Sequence, residues 1–160
     1  MITTIVELEN IKESHKNKKI GFCSGVFDLM HKGHLNFIKQ ARMACDILVV
    51  AVNSDFYVTE IKKTFTIIDQ DTRMQLIDSL KFVDYVLLLD PGKRLEIVKM
   101  LKPNVITLPD NHDTQEKVLN EFKSLGIEIN IILYTKDVST TEIKKAFKEK
   151  FDLSGSGAPS

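Results

Sequence analysis

Residues 25–34 read GVFDLMHKGH, and this stretch decides how the fold of the chain is interpreted. An apolar run of strand length, Ile20–Ser24, precedes the stretch, and a segment with helical periodicity, His34–Met43, follows it. The stretch therefore lies at a strand-to-helix junction. Amides at a helix N-terminus attract anions, imidazoles can donate hydrogen bonds to phosphate oxygens, and a glycine lets a phosphate approach the backbone closely. The junction predicts an anion site built around His31 and His34.

The two histidines have an alternative interpretation as structural side chains at a helix start. With 4 His and 7 Gly in 160 residues, the pattern His-x-Gly-His arises by chance in roughly 0.4% of chains of this composition. The motif also follows a strand, where a sheet of parallel strands binds its ligands. These two conditions are independent, and together they favour a functional site.

Apolar runs of strand length alternate with helix-period segments along the whole chain. The runs are nearly continuous in Val, Ile and Leu, as expected when helices cover both faces of a sheet. This alternation predicts an α/β fold, a Rossmann-like doubly wound sheet of five parallel strands with helices on both faces. The predicted strands are Ile20–Ser24, Ile47–Asn53, Tyr85–Leu89, Asn104–Leu108 and Ile127–Leu133. The predicted helices are His34–Met43, Asp71–Leu80, Arg94–Leu101, Thr114–Leu125 and Thr140–Lys150, the first with a buried stripe of Leu35, Ile38, Ala41 and Arg42.

Length and composition are those of one ordinary folded domain. The 160 residues are 43% hydrophobic and 28% charged, which suffices for one core but not comfortably for two. We predict a single domain over residues 1–153, beginning with a helical arm at 1–18. Residues 154–160 are Ser, Gly, Ala and Pro with nothing to bury, which predicts a disordered tail or a cloning remnant.

Charge, hydropathy and cysteine usage restrict location and partners. The 22 basic and 22 acidic side chains cancel, so no bulk field attracts nucleic acid or a membrane surface, and neither is expected as a partner. No signal-peptide pattern opens the chain, and no apolar run approaches the ~20 residues that span a bilayer. Cys23 and Cys45 lack metal-ligand spacing and are predicted to be buried, reduced thiols. Together these features predict a cytoplasmic protein.

The stretch Gly25–His34 resembles the signature of the cytidylyltransferase-like nucleotidyltransferases. This family includes the glycerol-3-phosphate, choline-phosphate and ethanolamine-phosphate cytidylyltransferases and the nucleotidyltransferase domain of ADP-heptose synthase. Further matches follow in order: Ala51–Asp55 resembles the end of the family's second strand, Asp71–Met74 its arginine-bearing helix start, and Ser139–Ile143 its late Ser-Thr-Thr motif. The resemblance extends over residues 18–147.

The resemblance implies transfer of CMP from CTP to a phosphorylated small molecule, with release of pyrophosphate. The alternative is an adenylyltransferase that uses ATP on a sugar phosphate or flavin nucleotide. A non-catalytic nucleotide-binding module is a further alternative. A class I aminoacyl-tRNA synthetase core is disfavoured by the short chain, by its zero net charge and by the missing Lys-Met-Ser-Lys-Ser-type loop. Small members of this family form homodimers, so the resemblance also implies a homodimer for this protein.

The resemblance and the reaction chemistry together assign roles to individual residues. His31, His34 and Lys62 are the predicted catalytic residues, which hold phosphate oxygens and neutralise charge. Asp28 is predicted to bind Mg²⁺, because a cation between carboxylate and phosphates relieves their repulsion; a turn or helix-start acid is the alternative. The predicted nucleotide-binding residues are Ser24, Val26, Phe27, Gly33, Asp55, Ser139, Thr140 and Thr141.

The acceptor site is where the chain departs from the family pattern. Arg73 is predicted to bind the acceptor phosphate, with a solvated helix arginine as the alternative. Many relatives carry an arginine in the segment that here reads YTKDV (134–138), and a glycine where Pro109 stands. Asp110 and His112, in the altered loop at 108–113, are predicted to contact the acceptor, with a plain turn residue as the alternative for Asp110.

Overall fold

The structure is a computed structural model that describes residues 1–110, 116–133 and 139–151. Five strands alternate with helices, and a short 3₁₀ turn at Ile5–Glu7 precedes the first helix. The strands are β1 (Ile20–Gly25), β2 (Ile47–Asn53), β3 (Tyr85–Leu89), β4 (Val105–Pro109) and β5 (Glu128–Ile132). The helices are α1 (Leu8–Ser14), α2 (Lys32–Met43), α3 (Asp55–Glu60), α4 (Gln70–Asp78), α5 (Arg94–Leu101), α6 (Glu116–Ser124) and α7 (Thr140–Phe151).

The sheet has the order β3-β2-β1-β4-β5, and every pair is parallel. The predicted five-stranded parallel sheet is therefore confirmed. The central strand β1 pairs with β2 through Cys23 and Val50 and with β4 through Cys23 and Thr107. The chain winds outward from β1 in both directions, so the loops after β1 and β4 separate and leave a crevice at the carboxyl edge of the sheet. This crevice positions the candidate site.

Helices cover both faces of the sheet, and alternate residues of each strand point to opposite faces. Phe22 packs on the face covered by α1, α5 and α6, in a cluster that includes fully buried Phe122. Its neighbour Cys23 packs on the other face, with Ile38 of α2 and Ile77 of α4. Each fully buried large apolar side chain contributes about 1.5–3 kcal/mol, so these two layers hold the sheet in place.

Two local predictions are wrong. The unpredicted helix α3 follows β2; it has six residues, too few for a recognisable period, and begins where the Ser54 hydroxyl accepts a hydrogen bond from the Tyr57 amide at 3.0 Å. The buried stripe of α2 is narrower than expected. Ile38 and Ala41 are buried, whereas Leu35 is 42% exposed and Arg42 is half-buried beside Asp84.

The N-terminal arm and the cysteines match their predictions in part. The arm contains α1, but its first residues run alongside β3, where the Thr3 amide donates to the Val86 carbonyl at 2.8 Å. Both cysteines are free thiols; Cys23 is buried, whereas Cys45 is half-buried. Burial raises the pKa of both thiols, that of Cys45 to about 11. Within the described ranges, no helix combines the length and apolar character needed to cross a membrane.

Candidate active site

A pocket of about 970 Å³ opens at the carboxyl edge of the sheet. The loop after β1, the segment after α3 and the start of α7 form most of its wall. The structure thus brings together segments that are far apart in sequence, as the resemblance implied. The predicted site residues that line this pocket are Ser24, Val26, Phe27, Asp28, His31, Gly33, His34, Lys62, Ser139, Thr140 and Thr141.

The loop between β1 and α2 has an unusual backbone. Phe27 and Leu29 both have positive φ, 55° and 47°, which costs free energy for residues with side chains. The Phe27 ring folds back over Gly25, where an added Cβ would lie 2.8 Å from the ring. A side chain at position 25 would therefore displace the Phe27 ring from its place in the loop.

His31 and His34 are stacked in the pocket, with ring centroids 3.8 Å apart and planes at 29°. His31 is the N-cap of α2, and its Nδ1 accepts a hydrogen bond from the Gly33 amide at 3.1 Å. In the neutral ring this bond assigns the proton to Nε2, which remains a donor for a ligand. The helix start therefore fixes both the position and the tautomer of His31.

Burial keeps both imidazoles neutral at pH 7. Desolvation, followed by the adjacent His31, lowers the pKa of His34 to about 4. Burial also lowers the pKa of His31, against the opposing effect of Glu142. The edge of the Phe27 ring contacts His34, and the His34 Nδ1 is buried without a hydrogen-bond partner in the described part of the chain. Buried polar atoms are normally paired, so this nitrogen indicates a group that a ligand completes.

The Asp28 carboxylate binds protein groups. Its two oxygens accept hydrogen bonds from the amides of Ile67 and Ile68, each at 3.0 Å, and Lys144 Nζ lies 3.4 Å from one of them. Burial raises the pKa of Asp28, but these partners outweigh it and hold the pKa below the usual value. The described residues contain no cluster of three or more His, Cys, Asp or Glu able to hold a metal ion. The prediction of Asp28 as a Mg²⁺ ligand stays a prediction, and these contacts fit a carboxylate that fixes the 67–68 backbone better.

The start of α7 contributes hydroxyl groups to the pocket. The Ser139 hydroxyl accepts a hydrogen bond from the Glu142 amide at 3.1 Å, so Ser139 caps the helix as its sequence suggested. The Thr140 hydroxyl donates to the Asp28 carbonyl at 2.9 Å, which joins α7 to the loop after β1. Thr141 is exposed and lines the pocket.

Of the residues that the structure describes, three with cationic side chains line the pocket: Lys62, Arg94 and Lys144. Only Lys62 was predicted from the sequence. Lys144 projects from the first turns of α7 toward Asp28. Arg94 is the first residue of α5, just beyond the carboxyl end of β3. The signal for Arg94 was its position, since ligands of a doubly wound sheet bind beyond the carboxyl ends of strands.

Arg73 and Asp55 do not line the pocket. The burial of Arg73 corrects its predicted role in acceptor binding, whereas the predicted role of Asp55 in nucleotide binding stays a prediction. Arg73 is 0% exposed, and its guanidinium donates to three backbone carbonyls and to the Asp55 carboxylate at 2.6 Å. Those carbonyls belong to Val26, Asn53 and Ile68. Arg73 therefore joins the ends of β1 and β2 to the start of α4. It is neither a phosphate ligand nor a solvated helix residue.

The predicted acceptor loop is described only as far as Asp110. The Asp110 amide donates to the Ile132 carbonyl at 2.9 Å, which continues the pairing of β4 with β5, and the residue does not line the pocket. Pro109, the preceding residue, does line it. His112 and the segment 134–138 lie outside the described residues, so the prediction for His112 stays a prediction.

The sheet order, the stacked histidines and the hydroxyl-bearing start of α7 define a class of protein. The Cytidylyltransferase-like family model matches residues 22–146. The chain therefore belongs to the cytidylyltransferase-like family.

The sequence of the chain is similar to those of two curated relatives. It is 34% identical over 149 residues to the bifunctional protein HldE of Campylobacter concisus, and 34% identical over 138 residues to the bifunctional protein HldE of Desulfatibacillum aliphaticivorans. These alignments cover 92% and 85% of the chain but only 31% and 28% of the relatives. The chain thus spans about a third of the length of the relatives it matches.

Two solved structures resemble the fold. The lipopolysaccharide core biosynthesis protein from Thermoplasma volcanium superposes with a TM-score of 0.65 at 31% identity, covering 76% of this chain and 99% of that one. Pantoate-beta-alanine ligase from Francisella tularensis has the same TM-score, 0.65, at 18% identity, covering 98% of this chain and 80% of that one. The second likeness concerns the fold alone.

Proposed function

We propose that this protein is an adenylyltransferase that transfers AMP from ATP to a sugar phosphate, releasing pyrophosphate and producing an ADP-sugar. The observation that carries the proposal is that the stacked His31 and His34 and the hydroxyl-bearing residues at the start of α7 line the same pocket. Such a pocket supplies neutral donors and a helix N-terminus, which suit a chain of phosphates. The protein is also proposed to act as a homodimer.

The relatives support ATP in place of the CTP expected from sequence. The HldE alignments cover most of the chain, and the 31%-identical structure is that of a lipopolysaccharide core biosynthesis protein. The lipopolysaccharide core is an oligosaccharide, and oligosaccharides are assembled from nucleotide-activated sugars. Of the family members that the sequence resembles, ADP-heptose synthase is the one whose product is such a sugar. These points favour ATP and a sugar phosphate as substrates.

In the proposed reaction, an oxygen of the acceptor phosphate attacks the α-phosphorus of ATP in line. The bond from that phosphorus to the oxygen bridging the β-phosphate breaks, and pyrophosphate leaves with the electron pair. Charge develops on phosphate oxygens, so positioning and electrostatic stabilisation dominate the catalysis. His31 and His34 donate hydrogen bonds to these oxygens, Lys62 neutralises charge, and the hydroxyls of Ser139 and Thr141, with the amides at the start of α7, bind the leaving phosphates. One such donor is worth about 3–4 kcal/mol in the transition state.

The residues present do not fit a resident Mg²⁺ at Asp28. Both of its oxygens already accept amide hydrogen bonds, and a cation there would be repelled by the Lys144 ammonium 3.4 Å away. Mg²⁺ commonly reaches nucleotide sites on the phosphates themselves, with most of its ligands from water and substrate. We therefore propose that the metal enters as part of the MgATP substrate.

Pyrophosphate release, measured with ATP and CTP in parallel against a panel of sugar 1-phosphates and glycerol 3-phosphate, tests this function. We expect ATP with a sugar phosphate to exceed any CTP reaction by at least tenfold. His34→Ala should lower kcat by about 10²-fold or more, because a transition-state donor is lost. His15→Ala, a histidine outside the pocket, is the matched control and should retain turnover.

Two outcomes would contradict the proposal. A faster reaction with CTP would restore the cytidylyltransferase interpretation. Tight nucleotide binding without pyrophosphate release for any acceptor would favour the non-catalytic module.

A further inference from the structure

The proposed reaction needs a second phosphate site, for the acceptor. The acceptor phosphate is a dianion that must approach an already anionic triphosphate, so cationic side chains have to hold it there. Arg73 cannot do this, since it is fully buried and bonded to three backbone carbonyls. Other cationic side chains that line the pocket must supply the site.

Lys62 and Arg94 are a pair of such side chains. They come from different segments, the turn after α3 and the first residue of α5, and both line the pocket. Neither makes an ion pair with any residue that the structure describes. Arg94 Nε is buried without a hydrogen-bond partner in the same described part of the chain. Among the described residues, these two cations line one cavity and neither lies within ion-pair distance of a carboxylate.

The two charges act on each other. Lys62 remains exposed to solvent where it lines the pocket, and partial desolvation there, followed by the positive charge of Arg94, lowers its pKa. Holding two like charges close together in a partly desolvated pocket costs free energy, and an anion that contacts both would recover it. A phosphate dianion has enough charge and enough oxygens to bind an ammonium and a guanidinium together.

Arg94 and the stacked histidines reach the pocket from the ends of different strands. Arg94 follows β3, whereas the histidines follow β1, and β2 lies between these strands. Strands two positions apart in a sheet are separated by roughly 10 Å. This spacing between strand backbones places Arg94 on the β3 side of the pocket, with Lys62 on the segment that follows β2. The arrangement suits neighbouring phosphates on two substrates.

We propose that Lys62 and Arg94 bind the phosphate group of the acceptor, while the histidines and the start of α7 bind the triphosphate. This inference rests on the proposed function, because it assigns the acceptor half of that same pocket. Arg94 is thereby a substrate-binding residue for the reaction.

Calorimetric titration with inorganic phosphate tests the pair without requiring turnover. The titration is done in the presence of saturating α,β-methylene ATP, which fills the triphosphate site and cannot transfer its nucleotide. Wild-type protein should still bind phosphate, and Arg94→Gln should weaken that binding at least tenfold, with an intermediate loss for Arg94→Lys. Lys93→Gln removes a neighbouring charge that is paired with Glu96 outside the pocket, and it should bind as wild type does.

Nucleotide affinity distinguishes the two halves of the pocket. Arg94→Gln should change the affinity for α,β-methylene ATP by less than threefold, and a larger loss would place Arg94 in the triphosphate site and overturn the inference. Absence of phosphate binding to the nucleotide-saturated wild type would also overturn it. Melting curves establish that each variant is folded, and Arg94→Lys preserves the charge if the glutamine variant is unstable.

Failure of the proposed function has a different signature. If the proposed function is wrong, α,β-methylene ATP does not bind, or no pyrophosphate is released with any acceptor. Titration with phosphate alone still measures how much Arg94 contributes to phosphate binding. Phosphate binding that is equal in wild type and Arg94→Gln under these conditions would overturn the assignment of Arg94 on its own.

Discussion

At the scale of single residues, the stacked histidines couple the site to pH. The pKa of His34 is about 4 in the folded chain, mainly through burial, against about 6.5 for an unperturbed histidine. Between these values the unfolded chain binds a proton that the folded chain does not. Stability conferred by the neutral ring is therefore fully present above pH 6.5 and decreases as the pH falls toward 4.

Replacing this ring should flatten the pH dependence of stability. Between pH 7 and pH 5 the wild-type free energy of unfolding should fall by roughly 1–2 kcal/mol more than that of His34→Gln, measured by urea unfolding. His15→Gln, outside the pocket, should keep the wild-type dependence. Parallel curves for wild type and His34→Gln would show that His34 is not held neutral by its surroundings.

The buried guanidinium of Arg73 gives a second residue-scale prediction. Arg73→Met should lower the free energy of unfolding by about 3 kcal/mol or more, because three backbone carbonyls and Asp55 lose their donor. Arg42→Met removes a half-exposed arginine paired with Asp84 and should cost clearly less. A stable Arg73→Met protein with a raised KM for the acceptor would instead support the phosphate-binding role expected from sequence.

Residue roles were the hardest part of the site to predict from sequence. His31 and His34 were identified because two histidines around a glycine are rare and stand at a strand end. An arginine near a helix start looks the same in sequence whether it is solvated or buried, so the role of Arg73 depended on burial that only the fold creates. Arg94 was overlooked because it belongs to no motif.

At the scale of elements, one carboxylate connects the loop after β1 to the segment before α4. Asp28→Asn keeps a single carbonyl oxygen where two amides now donate, so we expect a loss of about 1–3 kcal/mol in stability. The Mg²⁺ concentration for half-maximal activity should stay within about threefold of wild type, since the metal is proposed to enter with ATP.

The matched control for this variant is Asp69→Asn. Asp69 caps α4 from an exposed position, where asparagine caps about as well. It should therefore change neither stability nor the metal requirement. A tenfold higher metal requirement for Asp28→Asn alone would return Asp28 to the metal site.

Element boundaries were predicted to within a few residues where the apolar runs were continuous. The limits of β2, β3 and α5 match their predictions because strong runs end at polar or turn residues. Helix α3 was missed because six residues give less than two turns of pattern. Helix α2 begins earlier than predicted, since the His31 ring caps it and hydropathy does not register a cap.

At the scale of the whole molecule, the proposed homodimer is a direct prediction. Light scattering should give twice the 18.2 kDa of one chain. The outer strand β5 exposes Ile131, and Leu133 just beyond it is also exposed, so apolar surface remains for a partner to cover. A mass of one chain at high concentration would contradict this prediction.

The way α7 is attached has a consequence for local unfolding. None of the described residues of α7, Thr140–Phe151, is buried, and the Thr140–Asp28 and Lys144–Asp28 contacts join it to the loop after β1. An element held by polar contacts opens at a lower free energy than one anchored in a core. Amide hydrogens of α7 should therefore exchange with deuterium faster than those of β1. A nucleotide that binds both α7 and the loop after β1 should slow the exchange of α7 more than that of any other element. Hydrogen exchange would then report whether the nucleotide site is occupied, without any turnover.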